Sequence, residues 1–167
     1  MRNIIWLLLI LNFHAYSVNL SSHEVRALFQ KSSTEESSCK KLMTLLENCN
    51  ETNNSTLAAY KASATMMMAN YVFNPVSKFS NFNQGKKLLE RCIHADKENI
   101  EIRYLRFSIQ SNAPAFLGYN NSISSDKIFL LNAINNDIKD LQLKQMIISF
   151  LKSSEYLSSI EKQNIKS

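Results

Sequence analysis

The chain has 167 residues, 45% of them hydrophobic and 20% charged, which is enough for one domain with its own core and too little for two ordinary ones. Only 2 glycines and 2 prolines are present, too few for the turns of a many-stranded sandwich or barrel, or for the glycine-rich loops that cradle nucleotides. The formal net charge of +5 is mildly basic, and Lys and Arg alternate with Asp and Glu, as from Lys86 to Arg103, in the manner of solvated helix faces rather than a nucleic-acid-binding stripe.

At the amino terminus Arg2 precedes the apolar run Ile4 to Leu11, and Ala15-Tyr16-Ser17 places small residues where a signal peptidase cuts. A run of about eight residues is short of the roughly 20 that span a bilayer. The expectation is a signal peptide over residues 1–17, export to the periplasm, cell envelope or medium, and a single mature domain over 18–167. Loss of Arg2 takes the charge from +5 to +4.

In the mature chain, Ser21-Ser22-His23-Glu24 has the form of a capping box, followed by Val25, Leu28 and Phe29 at helical spacing, which predicts a first helix to about Lys31. Ser33-Thr34-Glu35-Glu36 repeats the box before Cys39, Leu42, Met43 and Leu46, and a polar turn follows from Asn48 to Ser55. Thr56 to Val72 contains no breaker and mixes alanines with Leu57, Tyr60 and Met66 to Met68, the pattern of a central buried helix that neighbours approach closely. The three methionines face three directions and are expected to fill the core rather than to bind metal or line a promiscuous groove.

Asn74-Pro75 is read as ending that helix. Asn70 to Lys87, with Lys78, Lys86, Lys87, Phe73, Phe79 and Phe82 and no acid, is read as a packed loop, with contact to an anionic lipid surface or a partner as the lesser alternative. The next helix is expected after Gln84-Gly85, with Leu88, Leu89, Cys92 and Ile93 as its apolar stripe. A further helix carries Ile102, Leu105 and Ile109 up to Pro114, and Ala115 to Gly118 suits a short turn with a left-handed stop. Asp126 to Ile134 and the stripe Leu143, Met146, Ile147, Phe150, Leu151 give two more helices, and Ser158-x-x-Glu161 caps a last short one.

Gly85-Lys86-Lys87-Leu88-Leu89-Glu90-Arg91-Cys92-Ile93-His94-Ala95-Asp96-Lys97-Glu98-Asn99-Ile100-Glu101-Ile102-Arg103-Tyr104-Leu105 resembles the junction between consecutive tetratricopeptide (TPR) repeats. Cys92-Ile93 stand at the Ala-Ile place and Asp96, Glu98 and Asn99 match the turn, whereas Lys97 replaces the usual Pro and no second copy follows at the 34-residue period. The segments from Tyr60 to Met68 and from Arg103 to Tyr119 also look like exported all-helical proteins of Gram-negative bacteria that have no assigned activity. These resemblances imply an all-α fold of stacked antiparallel helix pairs, a TPR-like right-handed helical array of six to seven helices. They imply nothing about chemistry.

The mature chain holds two histidines, His23 and His94, neither with a ligand-type neighbour on its own helix face, so no metal site and no cofactor are expected. No nucleophile elbow, P-loop, dinucleotide fingerprint or zinc-protease motif occurs, and no catalytic residue is assigned. Cys39 and Cys49, ten residues apart on what reads as one helix, are too far apart along its axis to pair. Cys92 and Cys39 lie on the apolar stripes of their helices and are expected to be small buried hydrophobes, with a bridge from Cys92 to Cys39 or Cys49 as the alternative.

Arg103, Tyr104, Arg106, Asn112, Phe116 and Tyr119 surround a proline-broken turn and are the candidate binding residues, since aromatic and Arg side chains are the usual anchors of protein recognition. The same residues would serve equally to lock the turn onto the core. The expected role is a protein-protein interaction module for an envelope protein or peptide. The rival is an envelope-associated enzyme or small-ligand carrier with a pocket between helices. An open groove with exposed aromatic and Arg groups favours the first, and an enclosed pocket with convergent polar groups the second.

Overall fold

The computed structural model describes residues 21–135 and 138–165, and the expected signal peptide lies outside them. Eight α-helices and no strand are found among the described residues: α1 Ser22–Lys31, α2 Glu36–Leu45, α3 Ser55–Met67, α4 Pro75–Ala95, α5 Ile100–Asn112, α6 Ile123–Asn135, α7 Leu141–Ser153 and α8 Ser159–Gln163. None of these helices is long and apolar enough to cross a membrane.

The centre of the fold is the pair α3 and α4, which pack more extensively on each other than any other two elements. They run antiparallel, because Asn99, just past α4, donates to Thr56 at the start of α3, while Gly85, in mid-α4, lies on Ala62 and Met66 further along α3. Four alanines of α3, Ala58, Ala59, Ala62 and Ala64, are wholly buried and let its neighbours come close. At Gly85 the approach reaches the backbone. A Cβ there would run into the Ala62 carbonyl and stand 2.6 Å from Met66 Cγ. Gly85→Ala is therefore expected to destabilise the fold by about 1 to 3 kcal/mol, the usual cost of overpacking, although the same change in an uncrowded helix would stabilise it. A urea melt gives the sign.

This contact corrects the expected loop from Asn70 to Lys87. The chain makes only a 3-10 turn at Met68–Asn70 before Pro75 opens a 21-residue helix. Asn74 accepts the Val76 N–H at 2.8 Å, and Pro75 occupies the first helical position, where its missing N–H costs nothing. Gly85, taken as a helix start, is interior.

Of the three expected capping boxes only Ser158 and Glu161 form one. Ser21 makes no side-chain cap and Glu24 pairs with Lys41 instead. Ser33 and Thr34 donate back to the Gln30 and Lys31 carbonyls, closing α1, and α2 begins two residues later than the box implies. Leu42, Leu89, Ile102, Leu105, Phe107, Leu130, Ile147 and Leu151 are fully buried and join the helices in one core. Edge-to-face ring pairs, Phe29 with Tyr60 at 5.4 Å and with Tyr104 at 6.4 Å, and Phe150 with both Tyr104 and Phe107 at 5.8 Å, tie α1, α3, α5 and α7 together.

All three cysteines are free. Because α2 ends at Leu45, Cys49 lies in the turn beyond it rather than on one helix with Cys39. Burial pushes the Cys39 and Cys92 thiols up to about 11, so at pH 8 roughly one molecule in a thousand carries either thiolate. Cys49 is only partly buried. Thiol labelling of the folded protein at pH 8 should therefore modify Cys49 well before the other two, and equal rates at all three would contradict the packing described.

Candidate functional site

Two clusters of buried charge organise the helices. Arg26 on α1, nearly wholly buried, donates to both carboxylate oxygens of Glu101 on α5, at 2.7 and 2.9 Å. Its remaining nitrogen meets Asp140, the N-cap of α7, at 2.8 Å and Gln142 at 3.1 Å. The Tyr60 hydroxyl of α3 donates to the same Glu101, and burial followed by that carboxylate holds its pKa well above the usual value. The Glu101 hydrogen bond in turn keeps Arg26 firmly protonated.

In the second cluster Arg106 of α5 forms a bidentate pair with Asp126 of α6, at 2.7 and 2.9 Å, and reaches Glu90 of α4 at 3.0 Å. Tyr119 donates to Glu90 at 2.6 Å, and burial, then this carboxylate, raises its pKa. Arg103 approaches Asp126 at 2.7 Å and lies 4.6 Å over the Phe129 ring. Bidentate Arg–carboxylate pairs fix geometry as well as charge, so this cluster locks α4, α5, α6 and the turn at Tyr119 into one arrangement.

The six candidate binding residues thus divide. Arg106, Tyr104 and Tyr119 are buried, Arg103 is half-buried in the same ion cluster, and Asn112 and Phe116 are exposed. Asn112 and Phe116 face a groove of about 950 Å³, whose floor and walls come from α1, α5, α7, the end of α3 and the start of α4. Phe29, Phe82, Tyr104, Ile109 and Met146 form its buried apolar floor. Phe79 and Phe116 stand on its rim, 60% and 86% exposed, and Val76, one turn before Phe79 on α4, is 77% exposed outside the lining. Met66 and Met67 also line it, so the methionine triplet contributes to the groove as well as to the core.

Much of the polar wall is already satisfied within the helices. Ser33, Ser108 and Ser153 donate to the Gln30, Leu105 and Phe150 carbonyls at 3.0, 2.9 and 2.9 Å, and the Asn112 amide donates to the Ser108 carbonyl at 2.8 Å. Among the described residues no group of His, Cys, Asp and Glu is arranged to hold a metal ion. The groove can therefore cover an apolar surface, and it offers few convergent donors with which to read a polar small molecule.

Groove residues outside the candidate set include Phe29, Met146 and Phe150 and, in the first turns of α4 where a loop was expected, Lys78, Phe79 and Phe82. The signal for those on α4 was present in Asn74-Pro75, a side-chain cap followed by proline at the first helical position, and in apolar residues three apart at Val76, Phe79 and Phe82. Compared with protein-family models, with curated proteins and with solved structures, the chain matches none significantly.

Proposed function

We propose that the protein is an exported helical module that binds another protein by taking an amphipathic helix into the groove between α1, α4, α5 and α7. The observation that carries this reading is the apolar groove with solvent-exposed aromatic side chains on its rim, since a contiguous exposed apolar surface marks an interaction site. An α-helix 10 to 12 Å across fills roughly 120 to 170 Å³ per residue, so 950 Å³ corresponds to about two turns, the length over which i, i+3, i+4 and i+7 anchors engage such grooves. The TPR-like reading is supported by the packing order, α3 on α4, α5 on α6 and α3 on α5, and by Asn99, which caps α5 after the turn from Asp96.

A displayed library of amphipathic helices selected on the full chain tests the proposal. Phe79→Ser and Phe116→Ser should each change stability by no more than about 0.5 kcal/mol, as exposed positions do, while removing most of the binding of the selected peptides. Selected peptides that bind both variants as well as the original chain would end this reading.

A further inference from the structure

We infer that the helix received by this groove presents a carboxylate to Lys78; the inference rests on the docking reading above and names the chemistry of its partner. Among the described residues Lys78 is the single charged one in the lining. It is exposed, and among the described residues it makes no ion pair or hydrogen bond with its own chain. Lys87 on the same helix is likewise exposed and unpaired among the described residues but lies outside the lining, and the other cations around α4 are engaged. Arg91 pairs with Glu51 at 2.7 Å, Arg106 is spent on Asp126 and Glu90, and Lys86 lies 4.9 Å over the Tyr119 ring.

No acid is at hand to neutralise Lys78 from within. From Asn70 to Leu89 the sequence contains no Asp or Glu, and Glu90, the first one reached, is held by Arg106 and Tyr119. The hydroxyls of Ser33, Ser108 and Ser153 and the Asn112 amide, four of the groove's polar side chains, already donate to helix carbonyls. One unspent cation beside a largely self-satisfied apolar wall selects an occupant that is apolar along its face and acidic at one point. An occupant with Lys or Arg at that point would bring two like charges together as water is excluded, which is how a single side chain rejects wrong partners. A fatty carboxylate shares this chemistry, but a chain one methylene wide leaves the outstanding rings of Phe79 and Phe116 wet. A helix covers both.

The displayed library tests this directly, with flanking positions randomised and selections run in parallel on the full chain and on Lys78→Glu. Peptides selected on the original chain should carry Asp or Glu beside the apolar face, and selection on Lys78→Glu should turn toward Lys or Arg. Lys78→Gln should weaken the acidic peptides about two- to five-fold, the range for a rim ion pair, and the difference should shrink as salt is raised. Identical charge preferences on both baits would overturn the inference while leaving helix docking intact. If no enriched peptide depends on Phe79 and Phe116, helix docking itself fails. Tight binding of fluorescently labelled palmitate in place of any peptide would assign the groove to lipid chains and overturn both.

Discussion

Replacing Arg106 by alanine is expected to lower the unfolding free energy by about 3 to 5 kcal/mol, the cost of breaking a buried ion pair by removing one partner. Asp126 is 0% exposed and would lose both of its hydrogen bonds from Arg106, keeping only the Nε of Arg103 at 2.7 Å. Glu90 would lose its cation while still accepting from Tyr119. The ledger is asymmetric, because an intact pair contributes little net stability whereas an orphaned buried carboxylate is strongly unfavourable. The double variant Arg106→Met with Asp126→Leu should therefore be much less unstable than the two single losses added together. Urea melts of the four species close the cycle, and additive losses would mean that the pair is not coupled as its geometry requires.

Leu105→Ala is the second large effect, expected at about 2 to 5 kcal/mol. Leu105 is completely buried on α5, the helix that packs on α3, α4, α6 and α7, so the side chain cannot be replaced by water and the surrounding helices cannot all close on the gap. Leu141→Ala is the matched control, since that leucine is 75% exposed at the start of α7 and its loss should cost no more than about 0.5 kcal/mol. Equal losses for the two leucines would show that the buried face of α5 has been placed wrongly.

The stripe of α7 was legible in the sequence because it has a single wet side and a regular apolar spacing, and α5, buried almost all round, was legible from the helical spacing of Ile102, Leu105 and Ile109. The alanines of α3 were legible for the same kind of reason, marking a buried helix before any neighbour was known. The first half of α4 was not. Its outward residues Val76 and Phe79 are apolar and exposed, so the usual contrast between a wet and a dry face is absent there. Gly85 reads as punctuation until the Ala62 carbonyl is seen where its Cβ would be. The segment from Arg103 to Tyr119 drew attention through its Arg and Tyr side chains. Two of these, Arg106 and Tyr119, face inward because their acidic partners Glu90 and Asp126 come from other helices, and no local pattern shows a pairing across 16 or 20 residues. The groove was hidden for a related reason: Phe29, Phe79, Phe116 and Phe150 lie on four separate parts of the chain and meet only in the folded protein.

The cluster around Arg26 has a consequence for how the protein comes apart. In a solenoid each unit touches only its neighbours, and the ends can fray while the middle stays folded. Here Arg26 on the first helix holds Glu101, 75 residues away, and Gln142, 116 residues away, so α1 cannot leave without freeing the start of α7. Glu101 would then lose its guanidinium and Tyr60 a firmly held acceptor, which loosens α3 and α5 in the same step. Helices α1, α5 and α7 are thereby joined in a single cooperative unit, and calorimetry should record one two-state transition in place of the stepwise melting of a repeat array. Because Phe29 lies one turn beyond Arg26 and Met146 one turn beyond Gln142, the same clasp sets the spacing between two walls of the groove, and a partner seated there would meet a surface that opens only when the whole domain unfolds.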